Sequence, residues 1–222
     1  MNYFRKTALS VAVITGMFAS GQSMAAVEGN IGAASNYIWR GVSQTGDQSA
    51  ISGGLDYSNE SGFYLGTWTS NVSWTPVDGY ELDVYAGYGG EAGTVSYDLG
   101  YIAYLYPVGD HESDFSEVYA NLGMGGLTLG LSYQVDAEAS GATDPMYISA
   151  AYDVELSEDY GLSLYGGDYD FDGAGGDYTH YGVAISKAAG DFGDLTFAID
   201  KNDLDGPGAD DPRVSVVWGK TF

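Results

Sequence analysis

Leu127-Thr128-Leu129-Gly130-Leu131-Ser132-Tyr133-Gln134-Val135-Asp136 alternates without a break. Leu127, Leu129, Leu131, Tyr133 and Val135 share one face; Thr128, Gly130, Ser132, Gln134 and Asp136 share the other. Period-two alternation is the signature of a strand with one apolar face. The same pattern recurs. Ile51, Gly53, Leu55 and Tyr57 oppose Ser52, Gly54, Asp56 and Ser58, and Leu82, Val84, Ala86 and Tyr88 oppose Glu81, Asp83, Tyr85 and Gly87. Val95, Tyr97, Leu99, Tyr101, Ala103 and Leu105 oppose Ser96, Asp98 and Gly100. Ile148, Ala150, Tyr152 and Val154 oppose Ser149, Ala151 and Asp153, while Leu195, Phe197 and Ile199 oppose Thr196, Ala198 and Asp200. In each case one face suits lipid and the other is small or acidic.

The breaks between these runs decide what the strands build. Residues 41–49, 70–79, 107–114, 137–145, 168–177 and 201–212 read as long connections. Residues 59–62, 89–93, 123–126, 157–160 and 188–193, which fall between them, read as short ones. Strict alternation of long and short belongs to an outer-membrane barrel, with tight periplasmic turns and larger loops outside. A soluble sandwich has no reason to keep it, and its long apolar faces would need a partner sheet. Less regular runs at 30–40, 62–69, 115–122, 161–167, 178–187 and 213–222 bring the expected count to about twelve strands. The fold class predicted is all-β: an antiparallel transmembrane β-barrel with longer acidic extracellular loops.

Both ends agree with export. Arg5 and Lys6 precede an apolar run from Ala8 to Ala19, and Ser23-Met24-Ala25 has the small-x-small form of a cleavage site. Residues 1–25 are therefore expected to be a removed signal peptide and 26–222 a single barrel domain. A dozen apolar residues are too few for a helix across the bilayer, which needs about 20. A chain without such a helix enters lipid as a closed barrel, which pairs every backbone group. At the far end Val214, Val216, Trp218 and Phe222 share a face; Trp218 and Phe222 look like the signal read by barrel-assembly machinery, although Lys220 interrupts it.

Composition excludes several functions. There is no cysteine, so disulfides, thiol catalysis and cysteine metal sites are absent. Two of the seven basic residues lie in the leader, which leaves the remainder two units more negative than the −24 of the whole chain. Phosphate contact needs a basic face, so nucleic-acid binding is excluded. Tyrosines near strand ends (Tyr37, Tyr57, Tyr88, Tyr101, Tyr133, Tyr152, Tyr160 and Tyr181), with Trp39, Trp218 and Phe222, suit girdles at the headgroup levels.

From residue 35 the chain resembles a known family. Ser35-Asn36-Tyr37-Ile38-Trp39-Arg40-Gly41-Val42-Ser43-Gln44-Thr45 resembles the opening motif of the TorF family of porins. Gly54-Leu55-Asp56-Tyr57, Gly62-Phe63-Tyr64-Leu65-Gly66-Thr67-Trp68 and Tyr80-Glu81-Leu82-Asp83-Val84-Tyr85-Ala86-Gly87-Tyr88 follow in order. Tyr97-Asp98-Leu99-Gly100-Tyr101 and Tyr104-Leu105-Tyr106-Pro107 continue it, and the resemblance thins beyond Leu122. Asn36 stands where many relatives are expected to carry Asp. The resemblance implies a proteobacterial outer-membrane porin and no particular substrate.

The expected function is passive diffusion of ions and small polar solutes. Asp56, Glu81, Asp83, Asp98, Glu117, Asp136, Asp153 and Asp200 are the candidate lumen carboxylates, and Arg40 the clear basic candidate. A narrow channel so lined favours cations. The alternatives are a plugged barrel with a structural or recognition role and, more remotely, an enzyme. Asp168, Asp170, Asp172 and Gly173 reproduce half of a calcium loop, but Thr179 replaces its last ligand and no helices flank it. A Ca2+ site there is a weak expectation, and no other cofactor is expected. His111 and His180, in or beside loops, carry no catalytic signature, although Asp177 and Ser186 are near His180 in sequence. Expected partners are outer-membrane lipid, lipopolysaccharide, the barrel-assembly machinery and small solutes.

Overall fold

Lipid offers no partner to an unpaired backbone group, and the chain meets this constraint by closing its sheet on itself. The computed structural model describes residues 25–74, 77–108, 113–137, 145–171 and 176–222. Twelve antiparallel strands form the barrel: β1 (Ala26–Ala34), β4 (Ala50–Ser58), β5 (Phe63–Trp74), β6 (Val77–Ala92), β7 (Val95–Leu105), β8 (Phe115–Met124), β9 (Leu127–Ala137), β10 (Met146–Glu155), β11 (Tyr160–Asp170), β12 (Tyr178–Ala188), β13 (Asp194–Asn202) and β14 (Arg213–Thr221). Two further short strands, β2 (Ile38–Trp39) and β3 (Val42–Ser43), pair only with each other. Each barrel strand pairs with its sequence neighbour, and β1 pairs with both β4 and β14 to close the ring. At the seam the N–H and C=O of Phe222 both bond Gly29 at 2.9 Å.

The alternation places the faces as expected. Leu55, Val84, Leu99, Leu129, Ile148 and Ile185 are exposed on the outer wall, as are Tyr88, Tyr101, Tyr133, Tyr152, Tyr160 and Tyr181. Such an apolar exterior belongs in hydrocarbon. Short turns and both strand ends nearest the termini share one rim; the longer connections leave the other, where β5 and β6 are joined by residues 75–76 alone.

Three expectations need correction. The expected run 30–40 is a strand only to Ala34, after which the chain turns inward. The expected long loop 70–79 is mostly strand, since β5 and β6 stay paired as far as Trp74↔Val77. Val72 and Val77 are buried there beside Tyr106 and Trp74, and that burial holds the hairpin together. Tyr37 and Trp39 belong to no girdle, because both pack inside the barrel.

Inside, tyrosines lie over glycines of the next strand. Gly66 faces Tyr85, Tyr64 faces Gly87, Tyr119 faces Gly100 and Tyr165 faces Gly182. A Cβ at Gly66 would come 2.5 Å from Tyr85 Cε2 and 2.6 Å from Asp56 Oδ1. The missing side chain lets the phenol lie along the wall and reach a carboxylate. Gly66→Ala should therefore cost about 1–3 kcal/mol in urea unfolding of the refolded barrel, as overpacked sites do. Gly219→Ala, where a Cβ meets nothing within 4 Å, should change stability by under about 0.5 kcal/mol.

Candidate functional site

Residues 35–49 connect β1 to β4 and fold into the lumen as a tongue. Its tip is the hairpin β2–β3, with Arg40 at φ 47° and Gly41 at φ 77° as the central pair of the turn. Positive φ at both positions is the type I′ geometry that suits a tight two-residue hairpin. For an arginine the left-handed conformation costs about 1–2 kcal/mol. Gly41 has a second reason to be glycine, since a Cβ there would lie 2.5 Å from the Cβ of His180.

The tongue is knit to itself before it touches the wall. The Asn36 amide donates to Asp47 Oδ1 at 2.8 Å, while its oxygen accepts from Ser43 (2.7 Å) and Thr45 (3.2 Å). An Asp at position 36 could not make the first of these bonds and would bring two carboxylates together. Arg213 at the mouth reaches Asp47 at 3.3 Å.

Arg40 decides where the tongue docks. Its two terminal nitrogens donate to Glu117 on β8 at 2.8 and 2.6 Å, a bidentate pair in which both residues are at most 5 % exposed. The rings of Trp39, Tyr147 and Tyr169 surround its guanidinium carbon with centroids 4.2, 4.1 and 4.8 Å away. Burial alone would lower the affinity of Arg40 for its proton, but Glu117 outweighs it and the group is held protonated more firmly than usual. Further along, the Gly41 carbonyl accepts from Asn202 at 2.7 Å. Tyr37 donates to Glu81 at 2.8 Å and packs edge-on against Trp68. Burial, and then Glu81, push the phenols of Tyr37 and Tyr106 well above their ordinary range, so both stay donors.

Two small cavities border Arg40. One, of about 50 Å³, lies between the tongue and a wall of Ala34, Ala50, Ser52, Ser70, Asp200 and Ser215. The other, of about 40 Å³, lies against Ile102, Asn121, Ser132 and Ser149. Each exceeds the roughly 10–15 Å³ that a cavity needs to hold a water.

The sequence matches the model of the Gcw_chp family, a bacterial protein of unknown function, over residues 18–207. The chain belongs to that family. No curated protein matches it. Among solved structures it is similar to the KdgM porin, with TM-score 0.59 and 10% identity over 88% of this chain and 98% of that one. The KdgM porin in complex with disordered oligogalacturonate gives TM-score 0.57 and 9% identity over 89% and 98%. The NanC porin gives 0.52 and 14% over 88% and 98%. At these identities the likeness is one of fold: this Gcw_chp member has the barrel of outer-membrane porins.

Most of the expected lumen carboxylates do face inward. Asp56 accepts from Asn30 at 3.1 Å and from Tyr85. Asp98 accepts from Tyr64 at 2.6 Å and Asn121 at 3.2 Å. Asp200 accepts from Tyr165 at 2.7 Å, and Asp153 from Ser163 near the short-turn mouth. Glu81 takes the hydroxyls of both Tyr37 and Tyr106, whereas Asp83 has no partner for either oxygen among the described residues.

Asp136 is the exception. The β8–β9 register steps from Glu117↔Gln134 to Ser116↔Asp136, skipping Val135. This bulge turns Asp136 off the inner face, and it is exposed. Asp168 and Asp170 are exposed on β11, with Asp168 accepting from Thr179, and Asp172 lies outside the described residues. Among the described residues no group of three or more His, Cys, Asp or Glu side chains gathers at metal-binding spacing.

His180 is not a loop histidine. It sits on β12, buried, bonded through Nε2 to the Tyr147 hydroxyl at 2.7 Å. Ser186 lies six residues along the same strand, roughly 20 Å away, and Asp177 binds the backbone of Phe171. His111 lies outside the described residues. Tyr85 and Tyr64 were legible as inward residues able to narrow the lumen, whereas Tyr119, Tyr147, Tyr165 and Arg213 escaped the reading of the sequence, although parity places all three tyrosines on the small or acidic face.

Removing one partner of a buried ion pair leaves the other uncompensated. Glu117→Ala should cost about 3–5 kcal/mol in urea unfolding of the refolded barrel, while the double replacement Arg40→Met with Glu117→Leu should cost much less.

Proposed function

We propose that this barrel is an outer-membrane channel for passive diffusion of small ions and polar solutes, cation-preferring, with the tongue as its constriction. The observation that carries this is the imbalance of charge inside. Among the described residues the inward basic side chains are Arg40 and Arg213, and each is engaged, by Glu117 and by Asp47. Asp56, Glu81, Asp83, Asp98, Asp153 and Asp200 have no cationic side chain in an ion pair with them among the described residues. A low-dielectric passage with unbalanced carboxylates attracts cations and repels anions.

The porin fold supports a channel rather than an enzyme, and the resemblance of residues 35–45 to the TorF opening motif agrees with it. Oligogalacturonate, named with one KdgM structure, is a polyanion. A lumen that took it would need free basic side chains, so the preferred solutes of this chain differ. The proposal includes export through cleavage of residues 1–25, assembly through the strand bearing Trp218 and Phe222, and lipopolysaccharide at the outer loops.

A second arrangement has one specific observation in its favour. The tongue fills the lumen at the level of Arg40, so the barrel could be a closed structural or recognition element whose acidic loops do the work.

Planar-bilayer recording of the refolded protein under a KCl gradient separates the two. Discrete steps with a cation-selective reversal potential are expected, weakened by neutralising Asp56, Glu81, Asp83 and Asp98 together. Replacing residues 37–43 with a short glycine-serine link should enlarge each step several-fold. Anion selectivity would overturn the charge argument. A folded barrel silent both with and without its tongue would move the function to the loops.

A further inference from the structure

Asp83 is 0 % exposed, and among the described residues neither of its oxygens has a hydrogen-bond partner. It is no rim residue. Its cross-strand neighbours are Trp68 on β5 and Tyr104 on β7, and Glu81 lies two residues away on the same face of β6. Tyr37 of the tongue roofs this spot, packing on Trp68 with ring centroids 5.4 Å apart and donating to Glu81. Every neighbouring inward carboxylate has donors, whether from Arg40, from tyrosine hydroxyls or from asparagine amides. The protein has therefore satisfied its acidic interior throughout and left one carboxylate bare at its most enclosed point.

An ionised carboxylate without donors or a counter-charge is strongly disfavoured in a dry site. Two species could relieve it, a proton or a metal cation. A proton removes one charge but leaves an acid O–H that must itself find an acceptor. A small cation can be shared between Asp83 and the oxygens of Glu81, two residues along the same face. Charge selects a monovalent ion, because two phenolic donors already disperse the charge of Glu81 and Asp83 leaves one charge to balance.

We infer that Asp83, with Glu81 beside it, binds one small monovalent cation of the sodium or potassium class beneath Tyr37 of the tongue. The inference deepens the cation-preferring channel and rests on it for conduction, while binding itself is measured separately.

The test is thermal unfolding of the refolded barrel in NaCl, KCl or N-methyl-D-glucamine chloride at equal ionic strength and pH. With the ion at about a hundred times its dissociation constant, the midpoint should rise by roughly 5–10 °C over the organic cation. Asp83→Asn should abolish that difference, and Asp136→Asn, off the inner face, should keep it. Equal midpoints in all three salts, with an infrared band of an un-ionised acid that vanishes in Asp83→Asn, would overturn the inference in favour of a proton. An ion-specific rise that survives in Asp83→Asn would overturn it too.

If Asp83→Asn does not refold, sodium-NMR line broadening decides on the native chain. It should be competed away by potassium and weakened in Glu81→Gln, and its absence in the native chain overturns the site. Current from the same preparations is read in parallel. Ion-specific midpoints in a barrel that carries no current remove the channel and keep the site. A cation-selective current without ion-specific midpoints does the reverse.

Discussion

A guanidinium buried in a barrel must find a carboxylate, and the bond from Arg40 to Glu117 organises the interior around it. The pair ties the tip of the tongue to β8, and the rings of Trp39, Tyr147 and Tyr169 enclose the charge on its remaining sides. With that point fixed, Gly41 is set against His180 and Asn202, and Tyr37 reaches Glu81 on the other flank. A strained turn is held in place because several strong contacts converge on it, as is usual where backbone strain persists. Without Glu117 the tongue would keep its own knot of Asn36, Ser43, Thr45 and Asp47 but lose its address on the wall.

The rest of the lumen follows a second rule, in which glycine makes space and tyrosine uses it. A phenol laid over a glycine of the next strand becomes a donor at a fixed height, and Tyr64, Tyr85 and Tyr165 each meet an aspartate. Neutral donors satisfy the hydrogen bonding of a carboxylate without cancelling its charge. Apart from bare Asp83 and the Arg40-bound Glu117, these inward carboxylates are thus satisfied by neutral donors, the arrangement that the proposed cation-preferring passage needs.

The sequence made the wall legible because lipid enforces period two with few exceptions. The faces of Leu127–Val135, Ile51–Tyr57 and Leu82–Tyr88 stand as the alternation predicts. Asp136 was misread because a bulge shifts parity by one residue, and no side chain announces it. The tongue was half legible. Arg40-Gly41 between Ile38-Trp39 and Val42-Ser43 is a hairpin signal, but only the tertiary pairing with Glu117, 77 residues away, shows that it points inward. Residues 70–79 looked like a loop because Ser73, Thr75 and Pro76 are polar or breaking, whereas burial of Val72 and Val77 holds the flanking residues as strand. His180 looked like a surface residue for the same reason, since nothing local places a β12 side chain under Gly41.

The central claim is that the tongue sits in the lumen, and contacts at its tip test this most directly. Nuclear Overhauser spectroscopy of the isotope-labelled protein in lipid nanodiscs can observe the Gly41 α-protons and the ring of His180. A Cβ at Gly41 would lie 3.2 Å from His180 Nδ1, so strong cross-peaks from Gly41 to that ring are predicted, with slow solvent exchange of the Arg40 and Gly41 amides. Narrow tongue resonances that exchange freely with water and show no contact to His180 would contradict the account.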